Sequence, residues 1–552
     1  MKKLIRISTT ALSAAFLSVS AADAQSVLGG NGTWTVSTNW TPNGVPTDTT
    51  DVLIDSVNGS STTGTQAARD VTIANSGNAT TRTLTVSTAG AMNLNSLTLG
   101  GNFTGPTGSS ILQINTGVTV NVTNNITMST GAGESSINIL SGGGSLNVGG
   151  GTGSINKGAG AGAAKIDIRS NAQVSLGISS ASVTQIILGQ GTATGNFSIN
   201  SGQTYTASTN VLVGNGAAGD DGTGILSMNG GTLTTGSLNL NAGNAATLNN
   251  SVVNLNSGTI STTTISRVNN GASQAFNWNG GTISNKAGGN LTVGNNANAI
   301  VISLAGTGTH TFDIESGKTA TVNSTVTLQD KSGENGTLTK AGMGTLSLNG
   351  THTYTGVTTI TAGTLVLASS GSIASSSAID LGTTGTLNVS AVSGGFNLAN
   401  GQTLKGSGTV VGAVTVASGA TLAIGNSSGT VTFDNDLTLS AGSISDFEIN
   451  GLTAGFYDLA QGGAGSQTVN FGGTLNLIFQ SGFNTTGTVK IFDFENYLGS
   501  FTVNPTGLAD GYSASFNNLT GVVTVVPEPA TWALLAGGLT VVVVMRRRRR
   551  ID

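Results

Sequence analysis

Cysteine is absent from all 552 residues, which excludes a disulfide framework, a thiolate nucleophile and any Cys-ligated metal. There are only two histidines, His310 and His352, too few for a His-rich zinc or iron centre. Charged residues make up only 8% of the chain, and eight of the 20 Lys and Arg stand at its ends. Between Gln25 and Met545, 12 basic residues face 22 acidic ones, so the body is unsuited to a phosphate backbone and no nucleic-acid partner is expected. Away from the two ends no segment keeps a 3.6-residue apolar period, so helices are not expected there. What is present is glycine, 84 residues of it, with Ser, Thr and Asn between short Val/Ile/Leu runs. Aliphatic content is too high and charge too low for a disordered chain, so the composition predicts an all-β fold with a packed interior.

The most informative stretch is Leu338 to Leu367, LTKAGMGTLSLNGTHTYTGVTTITAGTLVL. Gly344-Thr345-Leu346-Ser347-Leu348 is echoed 19 positions later by Gly363-Thr364-Leu365-Val366-Leu367. Leucines at i and i+2 project from one face of a strand, while Thr345 and Ser347 take the other. Short strands, glycine corners and a return after about twenty residues describe one coil of a solenoid. Leu338, Lys340, Gly342, Gly344, Leu346, Leu348, Gly350, Tyr354, Gly356, Ile360, Gly363 and Leu365 fit the pattern of the autotransporter-associated β-strand repeat, which this stretch resembles. The resemblance implies a right-handed parallel β-helix on an exported protein, and no chemistry.

Residues 1–24 read as a secretory signal peptide: Lys2, Lys3 and Arg6, a mildly apolar run, then Ala22-Asp23-Ala24 before a cut at Gln25. Residues 25–70 are expected to cap the solenoid, with Trp34 and Trp40 covering its apolar end and Pro42 and Pro46 blunting the strand edge. A sugar platform is the sharper reading of the two tryptophans. Residues 71–424 are read as the parallel β-helix, with a Gly-Thr-aliphatic signature at Gly231, Gly258, Gly281, Gly336, Gly344, Gly363 and Gly385. Residues 425–525 are rich in Phe and Tyr and are expected to form a β-rich C-terminal cap, packed as a sandwich or a thicker end. The segment resembles the C-terminal end of the same exported family, with GxxYD at Gly455 to Asp458.

Residues 526–552 have three parts. Pro527-Glu528-Pro529 breaks regular structure, residues 530–545 carry no charge, and Arg546, Arg547, Arg548, Arg549 and Arg550 follow. As a helix the apolar part reaches about 24 Å, short of the usual span, and snorkelling arginines on the cytoplasmic side extend it. This tail resembles the PEP-CTERM sorting signal. The resemblance implies recognition of Pro527, Glu528 and Pro529 by an exosortase-type membrane enzyme in a Gram-negative bacterium, transient membrane attachment, and delivery to the cell surface or extracellular matrix alongside exopolysaccharide. A barrel-forming autotransporter end would need a run of amphipathic strands instead.

Catalytic patterns are weak. Gly214 to Gly219 fits GxGxxG but is followed by Asp220-Asp221-Gly222, a turn rather than a helix start. Gly425 to Gly429 fits GxSxG, yet no histidine follows Ser427. The pairs Asp313/Glu315, Asp434/Asp436 and Asp493/Glu495 each put two acids on one strand face, as a polysaccharide lyase or hydrolase would require. With so few basic partners they read as solvent-facing acids. Asp220/Asp221 or Asp434/Asp436 offer oxygen ligands for calcium without any recognised loop pattern. No catalytic residue, metal or cofactor is therefore assigned. The expected protein is a non-catalytic surface or matrix solenoid, with a carbohydrate-binding adhesin as the alternative. Threonine ladders would permit ice binding, but unequal coil spacing argues against a lattice-matched face.

Overall fold

The computed structural model describes residues 201–528 except 216–221, 244–249, 271–272, 295–296 and 426, and, before them, strands and adjoining residues between 25 and 200. Among the described residues every regular element is a β-strand, and no helix there is long and apolar enough to cross a membrane. The signal peptide (1–24) and the apolar segment (530–545) lie outside the described residues. The chain divides into two compact units, residues 1–336 and 337–552. Each is a parallel β-solenoid of the right-handed type, as the glycine-punctuated strands predict.

In the first unit Gln25–Leu28 pairs antiparallel with Trp40–Thr41 and parallel with Asp51–Ile54, after which parallel pairing takes over. The best-formed coils show why. Thr223–Leu240 pairs in parallel with Asn250–Arg267, and this strand in turn pairs with Gln274–Trp278, Gly281–Asn285 and Leu291–Val293, one for each side of the coil. Alternate residues point inward and stack on their counterparts in the next coil. Phe197, Leu226, Val253, Phe276 and Ile302 form one such buried column, and Ile199, Met228, Leu255, Trp278 and Leu304 another. Each buried Leu or Ile contributes about 1.5–3 kcal/mol through apolar burial. Trp278 meets Phe312 edge-on at 5.1 Å between ring centroids and His310 at 5.5 Å.

The Gly-Thr-aliphatic signature acquires a geometric meaning here. Gly258 adopts φ +87° and Gly281 φ +91°, in the left-handed region that an L side chain resists. A Cβ at Gly258 would stand 2.2 Å from the Gly231 carbonyl oxygen, and one at Gly281 would stand 2.6 Å from that of Gly258. Glycine therefore turns the corner against the previous coil's backbone, threonine faces out, and the aliphatic residue enters the core.

In the second unit Leu338–Ala341 and Thr345–Leu348 both pair in parallel with Thr358–Leu367, which continues onto Ala378–Asn388. Parallel coils run on well past residue 425: Thr430–Phe433 pairs with Leu459–Gly462, and Ile444–Ile449 with Thr474–Phe483. Thr474–Phe483 pairs in turn with Thr502–Leu508. The aromatic-rich stretch is thus built largely of parallel coils, in which rings occupy the positions held earlier by aliphatic rungs. Phe471 lies 5.0 Å from Phe492, 4.8 Å from Phe501 and 5.3 Å from Phe516 between centroids. Antiparallel ladders in this unit are confined, among the described residues, to Val522–Pro527 between Gly487–Lys490 and Tyr512–Asn517. Pro505 sits within Thr502–Leu508, opposite Leu477, where it offers no N–H to a ladder.

Candidate binding faces

Within these coils the acids of the three carboxylate pairs are exposed. Glu315 accepts hydrogen bonds from the Gly288 N–H (3.0 Å) and from Asn285 Nδ2 (3.2 Å), and these hold its carboxyl below the ordinary carboxylate range. It fastens a corner. Asp436 accepts from the Thr468 N–H at 2.8 Å, doing the same between coils, and Asp493 pairs with Lys490. No group of three His, Asp or Glu residues among the described residues is placed to hold a metal ion.

Gly214, at φ +69°, donates its N–H to the Leu188 carbonyl at 2.9 Å and ends the strand Thr204–Val213; residues 216–221 lie outside the described residues. The GxSxG stretch is a carboxylate cradle. The Gly429 N–H donates to Asp458 Oδ1 at 2.9 Å, and the Glu448 N–H donates to Oδ2 at 2.7 Å. Asp458 is fully buried, and desolvation pushes its carboxyl up to about 7 against the pull of those two donors. This residue was visible in the sequence only as the last letter of GxxYD. Its burial depends on a loop 29 positions earlier, which no local pattern announces.

Lys340 is buried as well. Its Nζ donates to the carbonyls of Ala341 (2.6 Å), Gly342 (2.7 Å) and Ala362 (3.2 Å). The repeat's lysine therefore ties one coil's corner to the next. Tyr354 joins a buried hydroxyl chain: its OH lies 2.7 Å from Thr358 Oγ1, which lies 2.9 Å from Ser376 Oγ. Burial also lowers His352 to about 4.

Of the residues assigned to sorting, Pro527 ends the strand Val522–Pro527 and the Glu528 N–H donates to the Gly511 carbonyl at 2.7 Å. Pro529, Arg546, Arg547, Arg548, Arg549 and Arg550 lie outside the described residues, as do Trp34, Pro42, Pro46 and the side chain of Trp40.

What the coils do present outward is repetition. In the first unit Asn229 Nδ2 donates to Asn200 Oδ1 (3.1 Å), Asn256 to Asn229 (2.8 Å) and Asn279 to Asn256 (2.7 Å). Lys331 Nζ donates to Asn279 Oδ1 at 3.0 Å, closing that amide ladder. A second rung set joins Asn277 to Asn254 at 2.8 Å. Each amide spends a donor and an acceptor on its neighbours, so the ladder chiefly locks register. The adjoining side carries threonines in register, Thr232 opposite Thr259 and Thr259 opposite Thr282. These are extended arrays of amide and hydroxyl groups that run from coil to coil.

Comparison with protein-family models matches residues 338–367 to the passenger-associated-transport-repeat, an autotransporter-associated repeat. Comparison with curated proteins returns no match. The matched residues are the strands and corners of Leu338–Ala341, Thr345–Leu348 and Thr358–Leu367, so this chain is a β-helical repeat protein whose second unit is similar there to that repeat.

Proposed function

We propose that the protein is an exported, non-catalytic β-solenoid displayed at the cell surface or in the extracellular matrix. The observation that carries this reading is the passenger-type repeat at 338–367, folded as a coil with its motif lysine buried as a fastener. The tail 526–552 serves as a PEP-CTERM-type sorting signal read by an exosortase, and matrix polysaccharide is the neighbouring partner. Support comes from the order Pro-Glu-Pro, apolar run, arginines, a signal that accompanies exopolysaccharide in the family it resembles.

Intact mass of the protein recovered from its producing cell tests the proposal. Loss of residues 1–24 together with the arginine cluster is expected; a mature chain that retains Arg546 to Arg550 overturns the sorting assignment. Retention on purified matrix polysaccharide tests the partner, and free passage through it removes that part of the reading.

A further inference from the structure

Two outward columns on one side of the first unit's coils carry hydroxyl groups in register. Thr204, Thr232, Thr259, Thr282 and Thr311 make one column. Thr206, Thr234, Ser261, Ser284 and Asp313 make the other, two residues further along each strand. Strand geometry sets the rungs about 4.8 Å apart and the columns about 6.6 Å apart. The coils between successive threonines of the first column are 28, 27, 23 and 29 residues long, yet the pairing stays threonine on threonine. Corners absorb the unequal lengths, so threonine register is kept across these five ranks although the coils differ in length.

Three properties of the grid choose its occupant. The first is that its polar groups are available. Of nine hydroxyls, Ser261 donates to the Asn285 carbonyl at 3.2 Å, and the other eight have no protein partner among the described residues. The amide ladder next to it is, by contrast, closed on itself. The second is neutrality: nine of the ten positions carry no charge and Asp313 is the exception, so a polyanion finds no cation in the grid. The third is the absence of a stacking platform. Tyr205 and Phe312, which lie between grid residues, point inward and are buried, so a sugar ring has no aromatic face to lie on.

We propose that this grid binds ice. Its hydroxyl and methyl groups, on rungs about 4.8 Å apart and columns about 6.6 Å apart, order a sheet of water that a growing ice face can take up. The assignment goes beyond surface display and does not depend on it.

The test is ice growth in the presence of the full-length chain, read as thermal hysteresis and as inhibition of recrystallisation. The wild-type chain is expected to shape crystals and to hold a freezing gap. Thr232→Tyr combined with Thr259→Tyr, at the centre of the grid, is expected to lose that gap while circular dichroism stays that of the wild type. Should the double variant fail to fold, Thr259→Lys alone makes the same measurement. Asn277→Ala, on the amide side, is expected to keep the activity. A wild-type chain that leaves ice growth unchanged overturns the proposal, and so does a folded grid variant with undiminished hysteresis. Retention of a neutral glucan by the grid, lost in the same variants and unaccompanied by any effect on ice, also overturns it.

Discussion

In the first unit amide ladders run along the outside of the coil, and the buried polar residues, among them Ser135, Asn241, Ser251, Thr262 and Asn285, are uncharged. In the second, the two buried charged side chains of the described residues, Lys340 and Asp458, lie inside with Tyr354, Thr358, Ser376 and Gln402. The second unit also carries a threonine column, Thr345, Thr364, Thr386, Thr409 and Thr432, but its companion column includes Val366 and Val411. A cross-coil ion pair, Lys405 to Asp380 at 3.2 Å, stands on its surface. The same parallel coil thus tolerates two ways of fixing register. One repeats weak outer bonds over many rungs, and the other places a few strong bonds within.

That contrast can be broken by substitution. Trp278→Ala opens the widest hole in the first unit's interior, and its expected cost is about 4 kcal/mol, read as the shift in denaturant midpoint. Lys340→Met keeps the stem volume but leaves three carbonyls without their donor. A loss of about 3 kcal/mol is expected, with accelerated hydrogen exchange confined to the second unit. Gly258→Ala forces a left-handed residue against the Gly231 carbonyl, and about 2 kcal/mol is expected from strain at that site. Asn256→Ala removes one exposed amide rung, and about 0.5 kcal/mol is expected. A cost for Asn256→Ala equal to that for Lys340→Met would erase the distinction between outer and inner fastening.

Two buried titratable groups of the second unit should also respond to pH, in opposite directions. His352, lowered to about 4 by burial, stays neutral in the folded chain. Its contribution is complete above the unfolded value of about 6.5 and is lost as pH falls through 4. Asp458, raised to about 7, favours the protonated carboxyl when folded. Its contribution is complete below the unfolded value of about 3.9 and is lost as pH rises through 7. Asp458→Asn should therefore flatten the decline in thermal stability between pH 4 and 7, and an unchanged slope would remove Asp458 as its source.

The parallel coil was legible because glycine corners and i, i+2 leucines are local signals, and Leu338 to Leu367 contains both. The Gly-Thr-aliphatic signature even marks which residue faces out. What it does not carry is register: Asn200, Asn229, Asn256 and Asn279 are separated by 29, 27 and 23 residues, which looks aperiodic until the corners are folded away. Asp458 escaped notice for a related reason, since the donors around it come from Gly429 and Glu448 on separate segments. In the aromatic-rich end, ring size alone does not distinguish a sandwich from a thicker coil. Phe447 and Phe492, 4.7 Å apart, fill parallel coils.

Pro505 has a role that reaches past the single molecule. A parallel strand with a complete row of free amides would recruit the matching strand of a neighbouring copy, and growth by such additions has no natural limit. An imino acid in Thr502–Leu508, followed by a switch to antiparallel pairing, deprives that row of a donor and of a partner running the same way. A protein crowded at high density would then remain a population of separate molecules rather than an amyloid-like fibre.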